Sequence, residues 1–167
     1  LNVARNVPIT VSIYLKAGTC SRVQLSFSNG SSFKGGNPGV KFNLSSGTFI
    51  STSSNVTSYQ AINCGNGWWR LKLSGVPDLG TQSGFHLYML NDSNNTSYSG
   101  STSKFLYAWG AQFEQGTVLS TYTPTTVAPY LGLRFNYDLA NLSLAGALIE
   151  PATTNLVRYS QVFDNSS

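Results

Sequence analysis

The groups able to do acid–base or nucleophilic chemistry are few: six Asp and Glu, one His and two Cys in 167 residues. Cleaving a glycosidic bond takes two carboxyls flanking it, one protonated and one ionised. Glu114 ends the alternating run Leu106, Ala108, Gly110, Gln112, and Glu150 precedes Pro151. Neither has a second acid nearby in sequence, so a pair would need Asp78, Asp92 or Asp138 to approach in space. A serine nucleophile needs a general base, and the sole histidine, His86, sits in the apolar run Phe85-His86-Leu87-Tyr88-Met89-Leu90 without a nucleophile-elbow context. With no second His or Cys at a ligand spacing, a structural zinc lacks ligands, and no ligand cluster supports calcium. The expectation is a chain with no catalytic residues, no metal and no cofactor, in which His86 is a solvent-facing strand residue. Cys20 and Cys64 fall on predicted strands and read first as buried apolar side chains, since a bridge would need their strands to face each other.

Recognition chemistry is better supplied, because 13% of the residues are aromatic. Sugars offer apolar C–H faces that stack on rings and hydroxyls that meet amides, carboxylates and guanidinium groups. Candidates are Trp68, Tyr88, Tyr98, Tyr107 and Trp109, with Arg70, Asn91 and Asp92 as polar partners. The competing reading is that these rings fill the interior or an interface between subunits.

The elements that must carry these residues are strands. Ile9, Val11, Ile13 and Leu15 alternate with Thr10, Ser12, Tyr14 and Lys16, and Val23, Leu25 and Phe27 alternate with Gln24, Ser26 and Ser28. Residues 40–44 and 48–52 flank Ser45-Ser46-Gly47 as a short hairpin. A second hairpin turns at Asn66-Gly67, and its outgoing strand, 68–75, has Trp69, Leu71 and Leu73 on the core face and Trp68, Arg70 and Lys72 on the other. Strands at 84–90 and 104–114 follow, separated by a polar loop, 91–103, of the length that is either functional or mobile. The Thr-rich text after Gly116, with Pro124 and Pro129, predicts an extended segment that closes a first domain, 1–126. Residues 127–167 read as an extended linker and the start of a following module, docking on this or a neighbouring chain, with at most one helical turn near 141–147.

Charged residues make up only 10% of the chain, against roughly 25% in an average soluble protein. The polar surface must therefore be Asn, Ser, Thr and Gly, which favour turns and strands over helix interiors. Helical bundles and coiled coils are excluded on that ground, and no run approaches the roughly 20 apolar residues of a membrane helix. The net charge is +4, but the ten Lys and Arg are scattered, so no nucleic-acid footprint is expected. Eight Asn-x-Ser/Thr triplets follow from composition rather than marking glycosylation. Six to eight short strands about ten residues apart predict an all-β fold, a jelly-roll β-sandwich first and a barrel second.

Three stretches then stand together: Gly67-Trp68-Trp69-Arg70-Leu71; Leu106-Tyr107-Ala108-Trp109-Gly110-Ala111-Gln112-Phe113-Glu114-Gln115-Gly116; and Ser120-Thr121-Tyr122-Thr123-Pro124-Thr125. With Thr10-Val11-Ser12-Ile13-Tyr14-Leu15-Lys16-Ala17-Gly18 upstream, the chain resembles the carbohydrate-binding-like, concanavalin-like jelly-roll modules of bacteriophage tail fibre and other virion proteins. The text at 133–138 and 147–157 resembles the linker common in such proteins. In the full modules a strand like residues 155–163 comes first, so the chain is expected to be cut from a longer polypeptide, its terminal segment pairing with an open sheet edge.

The resemblance implies a structural motif built on Trp69, Trp109, Gln112, Glu114 and Tyr122, with Trp69 and Trp109 in the interior. It also implies a non-enzymatic structural module of a virion, at the particle surface, acting in assembly and host-surface adhesion as a homo-oligomer, trimeric by expectation, among other virion proteins. The alternative is a glycan-binding module, recognising a receptor or appended to a polysaccharide-degrading enzyme.

Overall fold

The computed structural model describes residues 2–124 and, beyond them, the backbone of two short strands. The alternating runs form the expected strands: β1 (Ile9–Ala17), β2 (Arg22–Ser28), β3 (Gly39–Asn43), β4 (Thr48–Thr52), β5 (Ser58–Gly65), β6 (Trp68–Gly75), β7 (Gly84–Met89) and β8 (Leu106–Gln115). The only helical element among the described residues is a 3-10 turn, Gly30–Ser32. Two antiparallel sheets result, ordered β5-β6-β1-β8 and β4-β3-β2-β7. Their inner faces share one core, as a β-sandwich requires: Val11 and Leu15 of β1 and Leu71 and Leu73 of β6 cluster with Leu25 and Phe27 of β2 and Phe42 of β3.

Turn chemistry sets the hairpin registers. Asn66 (φ 51°) and Gly67 (φ 78°) both occupy the left-handed region, the pair of conformations a two-residue hairpin turn needs to match strand twist. In the β3–β4 turn, the Asn43 side-chain oxygen accepts the Ser45 N–H at 2.9 Å and the Gly47 N–H donates to the Asn43 carbonyl at 2.8 Å. Gly47 sits at φ 69°, and a Cβ there would lie 2.5 Å from the six-membered ring of Trp69. Gly47→Ala is therefore expected to cost roughly 1–3 kcal/mol through backbone strain and displacement of Trp69. Ser45→Ala, losing only an exposed hydroxyl, should stay within about 0.5 kcal/mol. Equal urea midpoints for the two variants would refute this.

The polar loop 91–103 is tied at its root. The Asn91 side-chain oxygen accepts the N–H groups of Ser93 (3.0 Å) and Asn95 (2.8 Å), and Lys41 Nζ donates to the Asn94 carbonyl at 2.8 Å. Arg22 Nη1 bonds the Asp92 carbonyl and, at 3.1 Å, Asn94 Oδ1.

The chain divides between Pro124 and Thr125 into two units. In the second, β9 (Arg134–Tyr137) and β10 (Leu144–Leu148) pair antiparallel. The helical turn expected near 141–147 is thus replaced, from Leu144 on, by strand. The anticipated edge-pairing segment at 155–163 lies outside the described residues.

Cys20 and Cys64 are unbonded. Cys20 is buried as expected, though in the β1–β2 turn rather than on a strand, and Cys64 is exposed near the end of edge strand β5, contrary to the buried reading. Among the described residues no helix is long and apolar enough to cross a membrane.

Candidate functional site: an aromatic sheet face

The outer face of the β5-β6-β1-β8 sheet is read directly from its registers. Lys16 of β1 lies between Trp68 of β6 and Tyr107 of β8, and Tyr14 between Arg70 and Trp109. Farther along, Ser12 lies between Lys72 and Gln112, and Thr10 between Ser74 and Glu114. One half of the face is aromatic and the other polar. A register shift between Ser12 and Tyr14 against β8 makes this possible. Odd-numbered Tyr107 and Trp109 and even-numbered Gln112 and Glu114 all emerge on one side, because a bulge inserts one residue between them. Gly110, at φ 61°, occupies the bulge, and a Cβ there would come within 3.0 Å of the Tyr14 ring.

The rings form a continuous stripe. Phe105 meets Tyr107 edge-on at 5.6 Å between centroids, Tyr107 lies 6.5 Å from Trp68, and Trp68 meets Trp109 edge-on at 6.4 Å. Trp109 stacks on Tyr14 at 4.4 Å with 18° between planes, and Tyr122 closes the row edge-on to both. Phe105, Tyr107 and Trp109 keep 44%, 50% and 48% of their surface exposed. The exposed rings are thus contiguous rather than scattered singly.

The polar half is covered by the chain itself. Residues 117–124 leave β8 and lie against the polar face as a strap. Glu114 Oε1 accepts the Ser120 N–H at 3.2 Å, and Gln112 donates to Ser120 Oγ at 2.7 Å while accepting the Thr123 N–H at 3.0 Å. Arg70 donates from Nη1 to the Ser120 carbonyl at 2.8 Å and from Nη2 to Ser12 Oγ at 3.0 Å, with its guanidinium carbon 5.2 Å from the Tyr14 ring centre. The extended closing segment expected from the Thr- and Pro-rich text thus has a defined seat.

The candidates that the sequence offers fall in three places. Trp68 and Tyr107 belong to the stripe. Arg70 shares their face but is buried beneath the strap, with two of its nitrogens already bonded. Tyr88 is on the outer face of the other sheet, opposite Gln24 of β2, its hydroxyl 3.0 Å from Nδ1 of exposed His86. Asn91, Asp92 and Tyr98 line a pocket between the β1–β2 turn and the 91–104 loop.

The expectation that Trp109 is interior is corrected: it stands on the outer face, half-exposed. Trp69 is half-buried against the core, its Nε1 donating to the Leu44 carbonyl at 3.0 Å. Gln112 and Glu114 hydrogen-bond the strap, and Tyr122, within the strap, meets the rings of Tyr14 and Trp109. The sequence by itself gives Tyr14 and Phe105 no role in the site. The outward position of Tyr14 was visible in the β1 alternation, but its stacking partner depends on cross-strand register.

Among the described residues no three His, Cys, Asp or Glu side chains gather to hold a metal ion. No family model matches the chain, and no curated protein matches it.

Proposed function

We propose that this chain is a non-catalytic adhesion module of a virion surface protein, with a jelly-roll fold, that binds host-surface glycan through the aromatic stripe of its outer sheet face. The observation that carries the reading is the row Phe105–Tyr107–Trp68–Trp109–Tyr14, with three rings about half exposed on a rigid sheet. Flat rings on strands offer stacking area at low entropic cost, and successive rings suit the successive units of a polymer. The phage assignment rests on the sequence resemblance, and the jelly-roll assignment also on eight strands divided four and four between two antiparallel sheets.

The test is a glycan array followed by titration of the best polysaccharide. Tyr107→Ala and Trp109→Ala are each expected to weaken binding at least tenfold, about 1.4 kcal/mol, with Tyr107→Ala leaving the melting temperature nearly unchanged because its ring is half in solvent. Wild-type affinity retained by both variants would remove the stripe from the mechanism. The same patch also favours a second reading, in which the rings are buried between copies of the chain in a trimer. Light scattering separates the two: a stable oligomer that Tyr107→Ala dissociates supports the interface, and a monomer that still binds glycan supports the adhesive face.

A further inference from the structure

We infer that the pocket beside the Phe105 end of the stripe receives an acidic sugar unit, so that the ligand of the stripe is a polysaccharide carrying carboxylates, of the polyuronate class. This inference rests on the glycan reading above and specifies it. The pocket, about 150 Å³ in volume, is lined by Cys20, Arg22, Leu90, Asp92, Tyr98 and Lys104 among others. That volume suits a single ring rather than a length of chain.

Three observations carry the assignment. The first is continuity. Lys104 of the pocket immediately precedes Phe105 of the stripe, and Phe105 is held on both sides by pocket residues: its N–H donates to Thr19 Oγ1 at 3.1 Å and its carbonyl accepts the Cys20 N–H at 3.0 Å. The pocket lining and the Phe105 end of the stripe therefore adjoin. The second is charge. Two cationic residues, Arg22 and Lys104, and one acidic residue, Asp92, line the pocket, in a protein whose charged fraction is only 10%. The third is preorganisation. The half-buried Arg22 is already oriented through Nη1 by the Asp92 carbonyl and by Asn94 Oδ1, so its guanidinium fork is set before a ligand arrives. Leu90 and Cys20 are buried beneath, and Tyr98, anchored by its hydroxyl to the Met89 carbonyl at 3.2 Å, supplies a ring for the apolar face of the sugar.

The test titrates the intact chain with polygalacturonate and with its methyl ester, which keeps the sugar faces and removes the charge, and repeats the pair with alginate and esterified alginate. At least one acid polymer is expected to bind ten times or more tighter than its ester. Lys104→Gln should cut that preference at least threefold while leaving the melting temperature unchanged, since the Lys104 side chain is exposed and Arg22 stays in place. Lys34→Gln removes the same charge from an exposed loop outside the pocket lining and should keep most of the preference. Four results would overturn the inference: equal affinity for acid and ester, a preference that Lys104→Gln leaves undiminished, equal losses in the two lysine variants (which would reduce it to net charge), or no binding of any of the four polymers. Ester binding that Tyr107→Ala abolishes, without any preference for the acid, sinks the acidic pocket and leaves the stripe standing. Neutral-glycan binding that ignores Tyr107→Ala sinks the stripe itself.

Discussion

Alanine at Phe42 is expected to destabilise the first unit by roughly 3–5 kcal/mol, the range for deleting a buried phenyl ring from a close-packed core. Phe42 is wholly buried on β3, and its ring meets Phe49 of β4 edge-on at 4.9 Å and Trp69 of β6 at 5.4 Å. It therefore touches its own sheet and the facing one, so its loss opens a cavity at the seam that neither sheet can close without losing register. Against a typical total of about 5–15 kcal/mol, that is a large fraction of the stability. The melting temperature should fall by on the order of 10–20 °C. Tyr59, which meets Phe49 edge-on at 4.7 Å but is 44% exposed, is the control, and Tyr59→Ala should cost no more than about 1.5 kcal/mol. Chemical denaturation of the two variants decides the matter, and a Phe42→Ala cost below that of Tyr59→Ala would mean that the two sheets do not share this core.

Arg70→Ala is expected to release the strap. The guanidinium is buried, donates to the Ser120 carbonyl and to Ser12 Oγ, and lies over the Tyr14 ring. A hydrogen bond from a charged group contributes about 1.5–3 kcal/mol, and truncation also leaves its partners unsatisfied beneath the strap. A loss of roughly 2–4 kcal/mol follows, with a sign of its own: residues 117–124 should become cleavable by protease while β1–β8 stay resistant. Because Tyr122 closes the aromatic row, the variant should also weaken glycan binding, even though Arg70 touches no ligand. Gln112→Ala should reproduce the cleavage with a smaller stability loss, since it removes strap bonds from a less buried position. Unchanged cleavage of Arg70→Ala would show that the strap is held without it.

The strands were legible because one-sided burial writes period two into the sequence. β1 runs Ile9, Val11, Ile13, Leu15 inward and Thr10, Ser12, Tyr14, Lys16 outward, and both hairpins carry the turn residues that their geometry demands. Legibility failed where that periodicity breaks. The motif places Trp109 in the interior. Along an unbroken strand it would indeed oppose Gln112 and Glu114, but the Gly110 bulge turns all three to one face. The alternation gives Arg70 an outward position, yet its burial comes from residues fifty positions away that fold back over it. At the second unit the weak helical signal gives way to strand pairing at Leu144–Leu148, where the neighbouring strand Arg134–Tyr137 supplies the ladder partners that single-residue propensity does not encode.

The amino-acid sequence by itself therefore determined the class of this protein: an all-β chain, low in charge, whose surface is built from Asn, Ser, Thr and Gly. Those are properties of composition and of neighbouring residues, which act through local backbone preference and burial pattern. Only the tertiary structure decided that Phe105, Tyr107, Trp68, Trp109 and Tyr14 form one stripe, that the strap covers the polar half of their sheet, and that Arg22 and Lys104 share a pocket beside it. Each of those depends on which strands pair, in what register and with which bulge, and register is fixed by contacts between residues far apart in the chain.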